Sequence, residues 1–418
     1  MLSTGPLQPS ARLIELAQRS GGSVHSKGFA GRRSQSDAER AELAGSEERT
    51  TFTLDLSVGV PAQVFTLADP YRVVIDLPDV TFRLPGGTGT QGRGLISAFR
   101  YGLLAEGKAR IVLDAKQPVL IDKADMTVLK GRSVRLTIEL TPTTAKTFGT
   151  GTGSKHAASA PKDGDEPAAE VAEGEVKKPK DRAKPVILID PGHGGVDPGA
   201  TSPSNVQEKV IVLAVARILQ QELEKSGSYD VHMTRTDDVF VSLDERLKLS
   251  RKLAADLFIS LHADAIAKET VARQVRGATV YTLSERASDE EARLMAEKEN
   301  ASDLFAGLQV SELQEQDEVR NILIDLMKRE TANFSADFSK TLVQRLRETV
   351  SLSRRPRRSA AFKVLRQADT PSVLVELGYM SHREDEKLLQ SSEWQRRVAT
   401  AMSAAVGSYF AKRTAKAP

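Results

Sequence analysis

Two histidines and two glutamates sit at the ends of apolar runs in this 418-residue chain. His193 follows the run Val186–Ile189 in "VILIDPGHGGVDPGA". His262 closes "DLFISLHADA", and Glu376 closes "PSVLVE". Glu208 opens the helical stretch "EKVIVLAVARILQQELEKSG". If the three strands are neighbours, all four side chains converge at one edge of a sheet. Two imidazoles and one carboxylate with an open position make a catalytic zinc site. Such an ion lowers the pKa of water to about 7 and polarises a carbonyl. A second carboxylate can then take a proton from that water and hand it to a leaving nitrogen. Glu376 has no packing role at the end of a buried strand, which suits it to that task.

The loop around His193 is rich in glycine and proline, so it is neither helix nor strand. Gly192, Gly194 and Gly195 let the chain bend tightly around an ion, and Asp190 and Asp197 are expected to accept from imidazole N–H groups. The chain has no cysteine, which excludes disulfides, thiolate metal sites and cysteine nucleophiles. Any metal must use His, Asp or Glu, and there are six histidines. Of the others, His156 lies in a polar tract and reads as solvated, His232 alternates within a strand and reads as structural, and His382 reads as exposed. Plainer roles exist for the candidates too. Glu208 follows Asn205 by three residues and can be a helix-cap partner. Asp264 reads as a turn cap, and Glu376 alone can be an ion-pair partner. The coincidence of four such groups at matching element ends favours a site.

Positioning them requires alternating strands and helices, and the pattern from Pro185 to about Arg413 supplies it. Strands are expected at "VILID", "YDVHMTRT", "DLFISLHADA", "GATVYTLS" and "PSVLVELGYMS". Helices are expected at "EKVIVLAVARILQQELEKSG", at "SLDERLKLSRKLAA" with Ser242 and Glu245 as a capping box, over roughly 286–350, and at "SEWQRRVATAMSAAVGSYFAKR". This is an α/β domain with a central, mostly parallel sheet, and ligands in such folds gather at the carboxyl ends of strands. Before it, residues 50–141 alternate apolar and polar residues between turn signals, as in "TFTLDLSV", "YRVVIDL" and "SVRLTIELTP". They read as a small all-β sandwich or barrel. Residues 142–184 are nearly free of large apolar side chains and read as a flexible linker. Residues 1–49 read as mostly disordered, with a short helix near Ala11–Gln18.

Composition narrows the classes. With 59 basic and 56 acidic residues the net charge is +3, so no nucleic-acid partner is expected. No apolar stretch is long enough to span a membrane.

"IDPGHGGVDPGA", "QEKVIVLAVARIL", "SLHADA" and "PSVLVELGYMSHREDEKLL" resemble, in order, the four signature blocks of the zinc-dependent N-acetylmuramoyl-L-alanine amidases of the amidase-3 type, and together they span 185–413. The resemblance implies an α/β fold flanked by helices. It implies cleavage of the amide between the lactyl group of N-acetylmuramic acid and L-alanine in peptidoglycan. Carried over by position, it implies His193, Glu208 and His262 as Zn2+ ligands and Glu376 as the catalytic glutamate. The β region 50–141 is similar to the AMIN domain, which implies binding to peptidoglycan or another envelope component. Residues 285–335 resemble the insert of cell-division amidases, in which a helix lies over the zinc until a degenerate LytM-type activator displaces it. Glu299 best matches the acidic residue that does so, with Glu297 second.

The same resemblance implies a periplasmic enzyme. The N-terminus lacks an apolar export core, so a start upstream of Met1 is expected. The other readings are a zinc peptidase acting on peptidoglycan stem peptides, and a non-catalytic envelope-binding regulator.

Overall fold

The computed structural model describes residues 11–14, 35–129, 131–148, 182–265, 275–308 and 321–416. Most of the expected linker 142–184 and much of the 1–49 segment lie outside them, as do His25 and His156. The chain divides into two compact units, one of Met1–Ala172 with Phe305–Gln309 and one of the remainder.

The first unit is a two-sheet sandwich. One sheet has the order β1 (Ala11–Ile14), β4 (Ala62–Leu67), β5 (Arg72–Pro78), β8 (Lys108–Ala115), β7 (Ile96–Ala105). The other has the order β6 (Val80–Phe82), β2 (Ser36–Gly45), β3 (Thr50–Leu56), β10 (Val134–Pro142), β9 (Val119–Val128). Alternation sends Phe52, Leu54 and Leu56 of β3 and Leu136, Ile138 and Leu140 of β10 inward, against Ile75, Ile111 and Leu113. Two expectations are corrected. The domain starts before residue 50, because β2 pairs antiparallel with β3 from Ala38↔Leu56 to Gly45↔Thr50. The short helix expected near Ala11–Gln18 is replaced, over Ala11–Ile14, by backbone pairing with β4.

The second unit is built on a six-stranded sheet, ordered β12 (Asp230–Met233), β11 (Val186–Pro191), β13 (Leu257–His262), β16 (Ser372–Glu376), β14 (Ala278–Leu283), β15 (Leu352–Ala360). The first four run parallel, β14 is antiparallel to β16, and β15 is parallel to β14. Successive residues of β11 serve opposite faces. Ile187 and Ile189 pack with α1 (Glu208–Glu224), α4 (Asn321–Arg347) and α6 (Ser392–Lys416). Val186 and Leu188 pack with α2 (Leu243–Leu253) and α3 (Glu290–Asn300). Ser242 and Glu245 form the expected capping box on α2. A further helix is α5 (Arg383–Leu389), whose N-cap is His382.

A candidate metal centre at three strand ends

β11, β13 and β16 are adjacent, so their carboxyl ends meet. His262 and Glu376 are register partners, and Pro191 pairs with Leu261 two residues before His193. The loop after β11 then turns sharply. His193 itself has φ 57°, followed by Gly194 at 127° and Gly195 at 56°. A left-handed conformation at a residue with a Cβ costs energy and persists where its surroundings hold it. Here they do. Arg246 donates to the carbonyls of Pro191 and His193, both at 3.0 Å, and Arg235 donates to those of Pro191 (3.0 Å) and Gly192 (2.9 Å). Gly192 is required by proximity: a Cβ there would fall 2.4 Å from the His262 ring. Asp197 accepts from His193 Nδ1 at 2.8 Å, which fixes the ring and leaves Nε2 facing the site.

Glu208 is fully buried at the start of α1, and both its oxygens are tied down. Oε2 accepts from Ala200 N at 2.8 Å and Oε1 from Ala263 N at 2.7 Å. The same oxygens approach His193 Nε2 at 3.3 Å and His262 Nδ1 at 3.2 Å. From α3, Glu299 reaches both rings with one oxygen, 3.3 Å from His193 Nε2 and 2.9 Å from His262 Nδ1. Ligand atoms of His193, His262 and Glu299 all lie within 4.8 Å of one another. Glu376 is fully buried, with Oε2 accepting from Asp264 N at 3.0 Å. Glu297 is not brought to this cluster; it is exposed and pairs with Arg293 on α3.

The electrostatics are those of a site short of positive charge. Burial disfavours the charged form of His193, but Asp197, Glu208 and Glu299 outweigh it and raise its pKa well above the usual value. Burial likewise opposes the charge on His262, yet Glu299 and Glu208 carry it up to about 10. Burial would raise Glu208 and Glu299, and the two imidazoles instead hold both carboxyls low. Glu376 goes the other way: burial, together with the Glu208 and Glu299 carboxylates, lifts it well above the ordinary range against the pull of His262. His193 Nε2, His262 Nδ1, Glu299 Oε1 and Glu376 Oε1 are buried without a hydrogen-bond partner among the described residues. Buried polar atoms are normally satisfied. Two orphaned imidazole nitrogens facing carboxylates are what a divalent cation with N and O ligands needs, so the residues fit a metal ion.

The family model described as N-acetylmuramoyl-L-alanine amidase matches residues 187–408. The chain belongs to the N-acetylmuramoyl-L-alanine amidase family. The AMIN domain model matches residues 41–153. The chain is 32% identical over 378 residues to N-acetylmuramoyl-L-alanine amidase AmiC of Escherichia coli, covering 87% of each chain. It is 31% identical to the AmiC of Neisseria meningitidis, over 88% of this chain and 89% of that one. A solved structure, AmiC2 of Nostoc punctiforme, is 26% identical, covers 54% of this chain and 97% of its own, and has a TM-score of 0.39.

In this amidase the sequence reading of Asp190 needs correction. It accepts from no imidazole; burial would raise its pKa, but Arg246, Thr234 and Ser260 donate to it and hold it low. It therefore anchors Arg246, which in turn holds the His193 loop. Asp264 accepts from Ala265 N, as a turn cap does, and also pairs with Lys298. His232 lies apart, paired with Asp230 at 3.0 Å. Sequence reasoning missed Arg235 and Arg246. Arg246 sits on an amphipathic helix where arginine usually points to water, and only its place on the buried side, one turn from Leu243, marks it.

Proposed function

We propose that this N-acetylmuramoyl-L-alanine amidase holds Zn2+ with His193, Glu208 and His262 and uses Glu376 to move the proton. The observation that carries this reading is the pair of buried, unpartnered imidazole nitrogens facing Glu208 at the ends of β11 and β13. Bound zinc would supply Lewis acidity, polarising the amide carbonyl and acidifying water. The remaining chemistry belongs to the chain. Asp197 orients His193, and backbone N–H groups of Ala200 and Ala263 orient Glu208. Asp264 N holds one oxygen of Glu376 and leaves the other free to take a proton from the attacking water. Glu376 then delivers that proton to the nitrogen as the bond between the lactyl carbonyl and L-alanine breaks.

Glu299 occupies the space facing both imidazoles, which supports a closed resting state. In this reading α3 covers the metal until a degenerate LytM-type activator displaces it. About 3 kcal/mol in favour of the covered form keeps the open form near 1%. The AMIN domain would bind peptidoglycan or another envelope component and confine activity to the septum, in the periplasm. Among the described residues no helix is long and apolar enough to cross a membrane.

Digestion of purified sacculi by the zinc-loaded protein tests the reading. Free stem peptides beginning at L-alanine, and glycan strands ending their side chains in lactyl carboxylate, are expected, and Glu299→Ala should raise basal release by up to about 100-fold. Release of single C-terminal amino acids would replace it with a stem-peptide peptidase. No release by any variant would favour the binding regulator.

A further inference from the structure

Lys298 and Glu299 are consecutive on α3, and each pairs with buried groups at the carboxyl end of β13. The Glu299 carboxylate faces the two imidazoles, and the Lys298 ammonium pairs with Asp264. Asp264 is 2% exposed, lies two residues beyond His262, and its own N–H holds Glu376 at 3.0 Å. Its carboxylate therefore lies on the residue that positions the proton carrier. Its charge has no role in the chemistry described above.

Amide hydrolysis explains what such a carboxylate is for. Water's oxygen joins the lactyl carbonyl carbon, the C–N bond breaks, and the nitrogen leaves with the proton delivered to it. The two products are a carboxylate and a primary amine. The α-amino group of the released stem has a pKa of about 7.7–8.0, so it takes up a further proton and is mostly an ammonium at neutral pH. One carboxylate and one ammonium are what the dipeptide Lys298–Glu299 presents, side by side, in the covered state.

We infer that Asp264 is the group that receives the leaving amine, and that Lys298 and Glu299 together seal the site by imitating the two products of its reaction. This rests on the amidase reading above and adds to it a substrate contact. A product-like seal has a physical advantage: it satisfies the two charges that the open site is built to satisfy, so neither Asp264 nor the metal site is left bare while the enzyme is closed. The 38% exposure of the Lys298 side chain fits an amine position at the mouth of the site, where a peptide chain must run out to solvent.

Calorimetric titration of the zinc-loaded full-length chain with the dipeptide L-alanyl-γ-D-glutamate, and with its N-acetyl derivative, tests this. The Glu299→Ala chain still carries the competing ammonium, whereas the Lys298→Met/Glu299→Ala chain does not. The free-amine dipeptide should therefore be preferred over the acetylated one by about tenfold more in the double variant than in the single one. Adding Asp264→Asn to the double variant should erase that preference. The first comparison needs no change at Asp264, so it decides the matter even if Asp264→Asn does not fold. Equal preference in single and double variants, or a preference that survives Asp264→Asn, would overturn the assignment and leave Lys298–Asp264 as a tie that merely holds the helix. Cleavage of sacculi at the lactyl–alanine bond by Glu299→Ala would continue in that case, whereas its absence would overturn the amidase reading along with this one.

Discussion

Two clusters of buried charge can be set side by side. In the sandwich, Asp76 meets Arg110 through two bonds, Nε–Oδ1 at 2.6 Å and a second from the guanidinium to Oδ2 at 2.8 Å. Each charge answers the other, and the fork leaves the carboxylate satisfied. In the α/β unit, Glu208, Glu299 and Glu376 crowd two imidazoles, and four buried atoms of this cluster have no hydrogen-bond partner among the described residues. The first arrangement is complete as it stands, which marks a structural pair. The second leaves imidazole nitrogens and carboxylate oxygens unanswered, which fits a cation site. Asp190 and Arg246 show that the α/β unit can also satisfy buried charge where the role is structural.

The largest effect expected from breaking this contrast is at Glu376. In the proposed mechanism Glu376→Gln removes the proton carrier but no metal ligand, so hydrolysis of sacculi should fall about 10²–10⁴-fold with zinc content unchanged. Next come the satisfied pairs. Asp190→Ala strands Arg246, and Asp76→Ala strands Arg110, each at a cost of about 3–5 kcal/mol. The chain has one tryptophan, Trp394, buried in the α/β unit. Its fluorescence should therefore register the loss in urea unfolding of Asp190→Ala, while the loss in Asp76→Ala appears in the far-ultraviolet dichroism of the sandwich.

The Asp190 effect should also depend on pH. Its carboxyl is held below the ordinary value in the fold, so its contribution is present above the unfolded pKa of about 3.9 and disappears as pH falls through the lower folded value. The gap in urea midpoint between wild type and Asp190→Ala should hold at neutral pH and narrow below about pH 4. The smallest effect is expected at Glu297, exposed and paired only along α3. Glu297→Gln should leave both basal activity and the Trp394 transition within experimental error.

The residues of the candidate site were more legible in the sequence than those that support them. Strand ends carrying His193, His262 and Glu376 were legible because β11, β13 and β16 are buried on both faces and read as unbroken apolar runs. β15 was not legible. Its residues, "LSRRPRRSA", carry four arginines and Pro356, which a strand tolerates at a sheet edge and which resemble a loop when read alone. β2 was hidden for the opposite reason: "SDAERAELAG" is rich in helix formers, and pairing with β3 overrides that preference. The reversed direction of β14 has no local signature, since an antiparallel neighbour changes hydrogen bonding and not side-chain alternation. Asp190 was misassigned because spacing shows that a carboxylate is near a histidine but not which donor it faces.

The claim on which the rest depends is that His193 and His262 grip one metal ion. Metal analysis by plasma mass spectrometry of the dialysed full-length chain tests it directly. About one zinc ion per chain is expected in wild type and in Glu297→Gln, and none in His193→Ala or His262→Ala with the fold retained by circular dichroism. Zinc retained at the wild-type level in both histidine variants, or absent from a folded wild-type chain supplied with it, would contradict the account.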